Sequence, residues 1–375
     1  MNAQAKGSTL SSYLETSFHN ALPSLLCLLL GLVAGSILII ICGYNPVLVF
    51  GEMFSGAFGS VQGLSYTITY ISPFILAALA FLIPGKAGIW NVGGQGQVYL
   101  GGITAALVAL YIPMPPILWP IVALLAGAGA GALGAALPGI LESYRNASAI
   151  VTTIMLNYVY APIASFILFF VIAVTFPTTK VDSQTPKFSS AVRLPHIPGL
   201  SSSIMVFFTI LIAIGVYYFL LRTTLGYKIR AVGLNPTAAE MKGIDWRKIK
   251  VVAMMIGGAV AGLAGASEVL GTYGNYVDQF AEGYFGGMGF AGIAVALVGA
   301  SSPIGAIFSS VLFAVMVSGG PYIQALGIPR ELVWSLQGII IIFASMPYIY
   351  KVITKTDWSR AWRRTIVSPG KLEGQ

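Results

Sequence analysis

The chain has 375 residues, and its mean hydropathy is +0.84. Apolar and aromatic residues make up 57% and charged ones only 9%, where a soluble domain carries roughly 25% charge. That excludes a soluble enzyme, a disordered chain and a disulfide scaffold, and leaves an all-α polytopic membrane protein. The formal net charge of +8 reads as topology rather than as affinity for a nucleic-acid polymer, because the basic residues sit between apolar runs.

Residues 1–20 lack the charged start and small-residue cleavage site of a signal peptide and read as a cytoplasmic N-terminal segment. The transmembrane domain covers 21–350. Its candidate spans are 21–42, 64–83, 89–111, 117–140, 151–176, 204–221, 251–270, 286–300, 304–318 and 331–350. The eighth and ninth are short for a hydrocarbon core of roughly 30 Å, so the count is eight to ten. Cys27 and Cys42 both fall in the first run, roughly 22 Å apart on a helix, too far to bridge. Residues 177–203, rich in Pro and Ser, form an irregular outer loop. Residues 222–250 form the longest inner loop, and 351–375 a basic cytoplasmic tail. With both termini cytoplasmic, sixteen Lys and Arg lie inside and four outside, the bias of a correct topology.

Spans 2–5 and 7–10 each open with a full-length helix and then meet a Gly-rich break, NVGGQGQ at 91–97 and YFGGMGFAG at 284–292. An odd number of spans separates the halves, so the second copy is inverted. Paired Gly-interrupted segments in inverted halves point to a transport path; close helix packing by glycine is the bland alternative. At 129–134 a G-x-G-x-x-G match lies inside an apolar run with no preceding strand, so it and the Gly127/Gly131 pair read as small-residue helix packing.

Asn235–Gly243 (NPTAAEMKG) has the grammar of a two-turn helix. Asn235 suits the N-cap, Pro236 the first helical position and Gly243 the position past the end. So short a helix must pack against something, either a cytoplasmic partner or the bilayer surface. Asn91, Gln95 and Gln97 place uncharged amides among apolar surroundings, where they must find hydrogen-bond partners. They suit a polar, uncharged solute, or amide bonding between helices. Apart from Glu331, the first residue of the last candidate span, Glu268 is the only acid inside one and so a functional candidate, although it lies near the water-accessible outer end. Asn157, Tyr158 and Gln337 are weaker polar candidates. No Walker A loop, H-E-x-x-H or C-x-x-C occurs, so the chain itself is expected to hold no cofactor and no metal. Intramembrane acids are too sparse for a relay of paired carboxylates.

Three stretches carry a resemblance. They are GKAGIWNVGGQGQVYLGG at 85–102, RAVGLNPTAAEMKGI at 230–244, and the apolar region 295–343. They are similar to ABC importer permeases of the branched-chain amino acid, ribose and nucleoside superfamily, and most like the general nucleoside or simple-sugar uptake permeases. Gln95 stands where that family usually has Glu, which removes a charge.

The resemblance implies a multi-pass permease of the bacterial inner membrane that is not an enzyme. A cytoplasmic ATP-binding subunit would bind ATP and Mg, a second permease would complete the path, and an extracytoplasmic solute-binding lipoprotein would deliver the cargo. It implies that Gly233, Asn235, Pro236, Ala239, Glu240 and Gly243 belong to the coupling segment. Competing expectations are the same mechanism with a sugar or branched-chain amino acid as cargo, an ion-driven secondary carrier, and an intramembrane enzyme. The last lacks any nucleophile and base pair at helical spacing.

Overall fold

The computed structural model describes residues 29–179, 183–278, 287–329 and 331–355. The N-terminal segment 1–20, the start of the first span with Cys27, and tail residues 356–375 lie outside the described residues. Within the described residues the secondary structure is helical, with two isolated β-bridges. Six helices are long and apolar enough to cross a membrane, or seven if one bent pair is a single span.

The bent pair is α1 (Leu29–Ile41) and α2 (Pro46–Phe58), which meet at 113°. Gly43 makes the corner at φ +85, a conformation that suits a residue without Cβ. The spans continue with α3 (Val61–Lys86), α4 (Gly94–Tyr111), α5 (Leu118–Arg145) and α6 (Ala149–Thr175), of which Ile167–Ile172 is a π-turn. Next come α7 (Met205–Arg222), then α8 (Thr224–Leu234) and α9 (Pro236–Met241). The chain ends with α10 (Trp246–Tyr273), α11 (Met288–Val298), α12 (Pro303–Ala325) and α13 (Glu331–Lys355).

Among the described residues, each of the ten apolar runs overlaps a helix. Two differences stand out. The ninth run is not short: α12 continues through Gly319, Gly320 and Pro321 to Ala325, because packed neighbours hold a helix across a proline that would end it in water. And α2 occupies a stretch that hydropathy leaves unassigned. Its signal is Asn45-Pro46, in which the Asn45 side chain accepts from Val47 N at 3.0 Å.

Helix α3 is the centre. From Ser72 to Pro84 every residue is buried, as expected of a helix that is apolar all round. It packs along α11 and α12, while α10 packs along α4 and α5. Each half's opening helix therefore lies against the other half, the reciprocal arrangement an inverted repeat produces. The α5–α10 contact is backbone on backbone. A Cβ on Gly131 would strike Gly258 and Gly262, and one on Gly262 would strike Gly127. These glycines pack helices, as their spacing indicates, and Gly131 of the G-x-G-x-x-G match is one of them.

One end of the bundle is closed by segment 183–204, stitched to 270–278. Thr185 N donates to Tyr276 O at 2.8 Å, Phe188 N to Gly274 O at 2.8 Å and Leu194 N to Leu270 O at 3.0 Å. At the opposite end, α8 and α9 rest on the foot of α3. Gly233 approaches Lys86 O so closely that a Cβ could not fit. Residues 222–250 thus hold two short helices where one is expected, the first capped by Thr223, which accepts from Gly226 N at 3.0 Å.

Candidate functional site: the half-helix crossing and the coupling elbow

Helices α4 and α11 both begin inside the protein rather than at its ends. After α3 stops at Lys86, residues 87–93 run back beside it. Asn91 Nδ2 donates to Ala80 O at 3.3 Å, six residues up α3, or roughly 9 Å. From there α4 starts at Gly94. Helix α11 starts at Met288 and crosses α3 where Gly292 meets Ala77. The two N-termini touch. Gly289 N donates to Gln95 Oε1 at 2.7 Å, and a Cβ on Gly94 would lie 3.8 Å from Gly289 Cα.

The first N–H groups of a helix have no intrahelical acceptor, and two such ends face one another here. The surrounding amides serve that need. Asn91 and Gln97 form a reciprocal pair, Nδ2 to Oε1 at 2.9 Å and Nε2 to Oδ1 at 3.1 Å. Asn91 Oδ1 also accepts from Gly93 N at 3.2 Å. Asn157 of α6 accepts from Gly96 N at 2.8 Å and donates to Val92 O at 3.2 Å. Gln95 is also hydrogen-bonded to Tyr99. All four amides are buried. Buried polar groups of this kind rigidify a site when fully paired, and no charge sits among them.

The structure thus joins Asn91, Gln95, Gln97 and Asn157 into one cluster. It leaves the other expected residues apart. Tyr158 is 74% exposed on the outer face of α6. Gln337 lies on α13, its Nε2 buried without a hydrogen-bond partner. Glu268 is buried at the first residue of a π-turn, Glu268–Tyr273, in α10. Thr153 gave no signal in the sequence: its Oγ1 accepts from Val92 N at 3.3 Å, and a Thr next to Thr152 in an apolar helix does not stand out.

The second feature is the elbow at α8–α9. Asn235 Oδ1 accepts from Ala238 N at 3.1 Å, Pro236 opens the helix, and Gly243 follows it at φ +77. Both ends are therefore specified by local chemistry. Ala239 faces inward, packed with Leu82, Ala87, Ile229 and Ile249. Leu234 and Met241 are 88% and 83% exposed, and Glu240 is exposed beside them. Leu234 ends α8 and Met241 ends α9, so two exposed apolar side chains flank the elbow. They were missed because periodicity assigns such residues to a core.

The elbow is tied to the bundle at α10. Asp245 caps that helix, accepting from Lys248 N at 3.2 Å. Its carboxyl is held below the ordinary value, first by that backbone N–H and then by the Lys248 ammonium. Lys250 Nζ lies 3.2 Å from Glu142 Oε1 at the end of α5, and Glu142 Oε2 accepts from Ala149 N, the first residue of α6, at 2.8 Å. One carboxylate therefore joins α5, α6 and α10.

Residues 63–345 match the family model described as the branched-chain amino acid transport system / permease component. The chain belongs to this family. It is 33% identical to the nucleoside ABC transporter permease protein NupB of Lactococcus lactis, over 89% of this chain and 93% of that one. It is 31% identical to the guanosine ABC transporter permease protein NupP of Bacillus subtilis, over 88% and 94%. To the glucose ABC transporter permease protein TsgB13 of Haloferax volcanii it is 30% identical, over 87% of each. No solved structure matches it. The chain is thus an ABC transporter permease subunit and a multi-pass protein of the bacterial inner membrane, not an enzyme. ABC permeases work with an ATPase, which binds the ATP, and with a substrate-binding protein.

Proposed function

We propose that the permease imports a nucleoside. The α8–α9 elbow would face the cytoplasm and dock on the ATP-binding subunit, which holds ATP and Mg. The observation that carries this reading is the uncharged amide cluster at the α4–α11 crossing. A neutral, many-sided hydrogen-bonding solute is matched by amides that both donate and accept. An ion would call for charged groups. The names of the bacterial relatives, nucleoside and guanosine permeases, support the same cargo.

In this reading Asn91, Gln95, Gln97 and Asn157 hold the crossing shut, and the path opens when the two half-helices part. Gly233, Asn235, Pro236, Ala239, Glu240 and Gly243 build the elbow, and Leu234 and Met241 are its contact knobs. Closing of the ATPase pair would push on α9, and Glu142 would carry the displacement into α5 and α6. Two discrete packings of the bundle then serve as the outward and inward states. A second permease, a different paralogue, would complete the path, and an outer solute-binding lipoprotein would deliver the nucleoside to segment 183–204.

The sugar reading keeps one specific support, the glucose permease relative. Binding of a panel of nucleosides, hexoses and branched-chain amino acids to the cognate outer binding protein separates the two. Micromolar or tighter binding of nucleosides alone is expected; binding of hexoses or amino acids alone would reverse the assignment.

A further inference from the structure

A second polar feature lies away from the amide crossing, where α3, α10 and residues 202–205 meet. It is a small cavity with room for about one water-sized particle. Six oxygen-bearing residues line it, namely Thr69, Ser72, Ser203, Ser267, Glu268 and Thr272.

Two of the five hydroxyls direct their protons away from it. Thr69 Oγ1 donates to Ser65 O at 2.9 Å, and Ser267 Oγ to Ala264 O at 2.8 Å. A hydroxyl that donates outward turns lone pairs to the space behind it. Ser72 Oγ is buried with no hydrogen-bond partner, and Ser72 itself is 5% exposed. Such an orphan in a native interior signals a missing ligand.

Glu268 is 3% exposed and is hydrogen-bonded to Thr272. Among the described residues no Lys, Arg or His forms an ion pair with it. The titratable groups that face it are the phenols of Tyr70 on α3 and Tyr273 on α10. A buried carboxylate without a counter-charge is costly. The cavity therefore offers oxygen lone pairs and one carboxyl group, which a bound cation would hold ionised, and lacks a positive group.

We propose that Glu268 and the hydroxyls of Thr69, Ser72 and Ser267 form a binding site for one alkali cation, Na+ or K+. Carboxylate and hydroxyl oxygens are hard donors, suited to a hard cation. The single carboxylate balances one charge, and no group of three acidic, His or Cys side chains occurs among the described residues to hold a more highly charged metal. The ion ties α3 to α10, beside Ser203 and Met205. Its role is structural, so it does not replace ATP as the source of energy, and the site stands independently of the cargo assignment.

The test uses the purified full-length chain in lipid nanodiscs, with thermal unfolding followed in NaCl, KCl and choline chloride at equal ionic strength and pH. A ligand of the folded state raises the midpoint by mass action. The expected rise in NaCl or KCl over choline is about 5 °C at roughly a hundredfold excess over Kd, saturating with concentration. Glu268→Gln is expected to abolish the rise. Ser72→Val, which fills the cavity without touching the carboxylate, is expected to weaken the apparent affinity at least tenfold. Equal midpoints in the three salts overturn the proposal, since a carboxyl that carries its own proton needs no cation. So does an undiminished rise in Glu268→Gln or, where that variant does not fold, an unchanged affinity in Ser72→Val.

Discussion

Gln95 Oε1 accepts a hydrogen bond from Gly289 N at 2.7 Å, across 194 residues of sequence. This bond joins the two halves of the permease at the point where two helix N-termini oppose each other. Both ends carry partial positive charge, and the Gln95 oxygen answers one of their unpaired N–H groups. Removing it leaves a buried donor unsatisfied, a cost of about 1–3 kcal/mol. Gln95→Leu is therefore expected to lower uptake at least tenfold. Gln95→Glu keeps the acceptor and adds a charge that both helix ends favour, so it is expected to retain uptake. Radiolabelled nucleoside uptake in cells expressing the whole transporter checks both. Equal uptake by wild type and Gln95→Leu would show that the bond is dispensable.

Gly289 is constrained from its own side. A Cβ there would overlap Gln95 N and Cα, atoms that cannot move without displacing α4. Gly289→Val is expected to separate the half-helices and destabilise the fold by about 1–3 kcal/mol, the usual cost of overpacking. Gly129 has nothing within 4 Å of its Cβ position, so Gly129→Val is the matched control. The thermal unfolding midpoint in nanodiscs measures both. Equal midpoints would place the crossing elsewhere.

Leu234 at the end of α8 and Met241 at the end of α9 are both exposed. Replacing both with Asp is expected to abolish copurification of the ATP-binding subunit while leaving the permease inserted and folded. Asn235→Ala removes the cap and costs the short helix about 1 kcal/mol, so weaker association is expected from it. Full recovery of the ATPase with the double Asp variant would remove α9 from the docking surface.

Glu142 joins Lys250 Nζ at 3.2 Å to Ala149 N at 2.8 Å. Glu142→Gln keeps an oxygen for the Ala149 N–H and loses the charge, and is expected to cost about 1 kcal/mol. Glu142→Ala loses both and is expected to cost about 2–3 kcal/mol. If the account of the elbow is right, ATP hydrolysis in Glu142→Ala also becomes less dependent on solute. Unfolding midpoints in the reverse order would contradict the assignment.

Asp245 adds a pH dependence. Its carboxyl is lowered in the folded state by the Lys248 N–H and ammonium, so its capping contribution is complete above the ordinary value of 3.8. It is lost as pH falls through the lowered value. Limited proteolysis of the elbow is expected to speed up in acid below that ordinary value. The Asp245→Asn variant should show no such acid step. An identical acid step in both would assign the effect to another group.

Much of this was legible in the residues themselves. Among the described residues, the ten apolar runs overlap helices because lipid demands continuous apolar stretches whose backbone groups are satisfied internally. The caps of α9 were legible because Asn-Pro and Gly act within a few residues of themselves. The same grammar at Asn45-Pro46 marks α2, where hydropathy alone is silent. The bond from Gln95 to Gly289 and the link from Glu142 to Lys250 were not legible, since each depends on residues far apart in sequence. The glycine breaks indicated where two half-helices begin, but not that their N-termini meet. Glu268 stood out as an acid within an apolar run, while its company of hydroxyls from α3 and residue 203 is purely tertiary. The exposed Leu234 and Met241 look like core residues until the fold shows nothing covering them.

The central claim is that this chain forms a nucleoside path driven by a separate ATPase that grips α9. The most direct test is uptake of radiolabelled nucleoside into proteoliposomes holding the permease pair, with and without the ATP-binding subunit and ATP. The account predicts uphill accumulation only when both are present, and none when the Leu234 and Met241 double Asp variant replaces the wild-type chain. Accumulation on an ion gradient with the ATPase absent would contradict it.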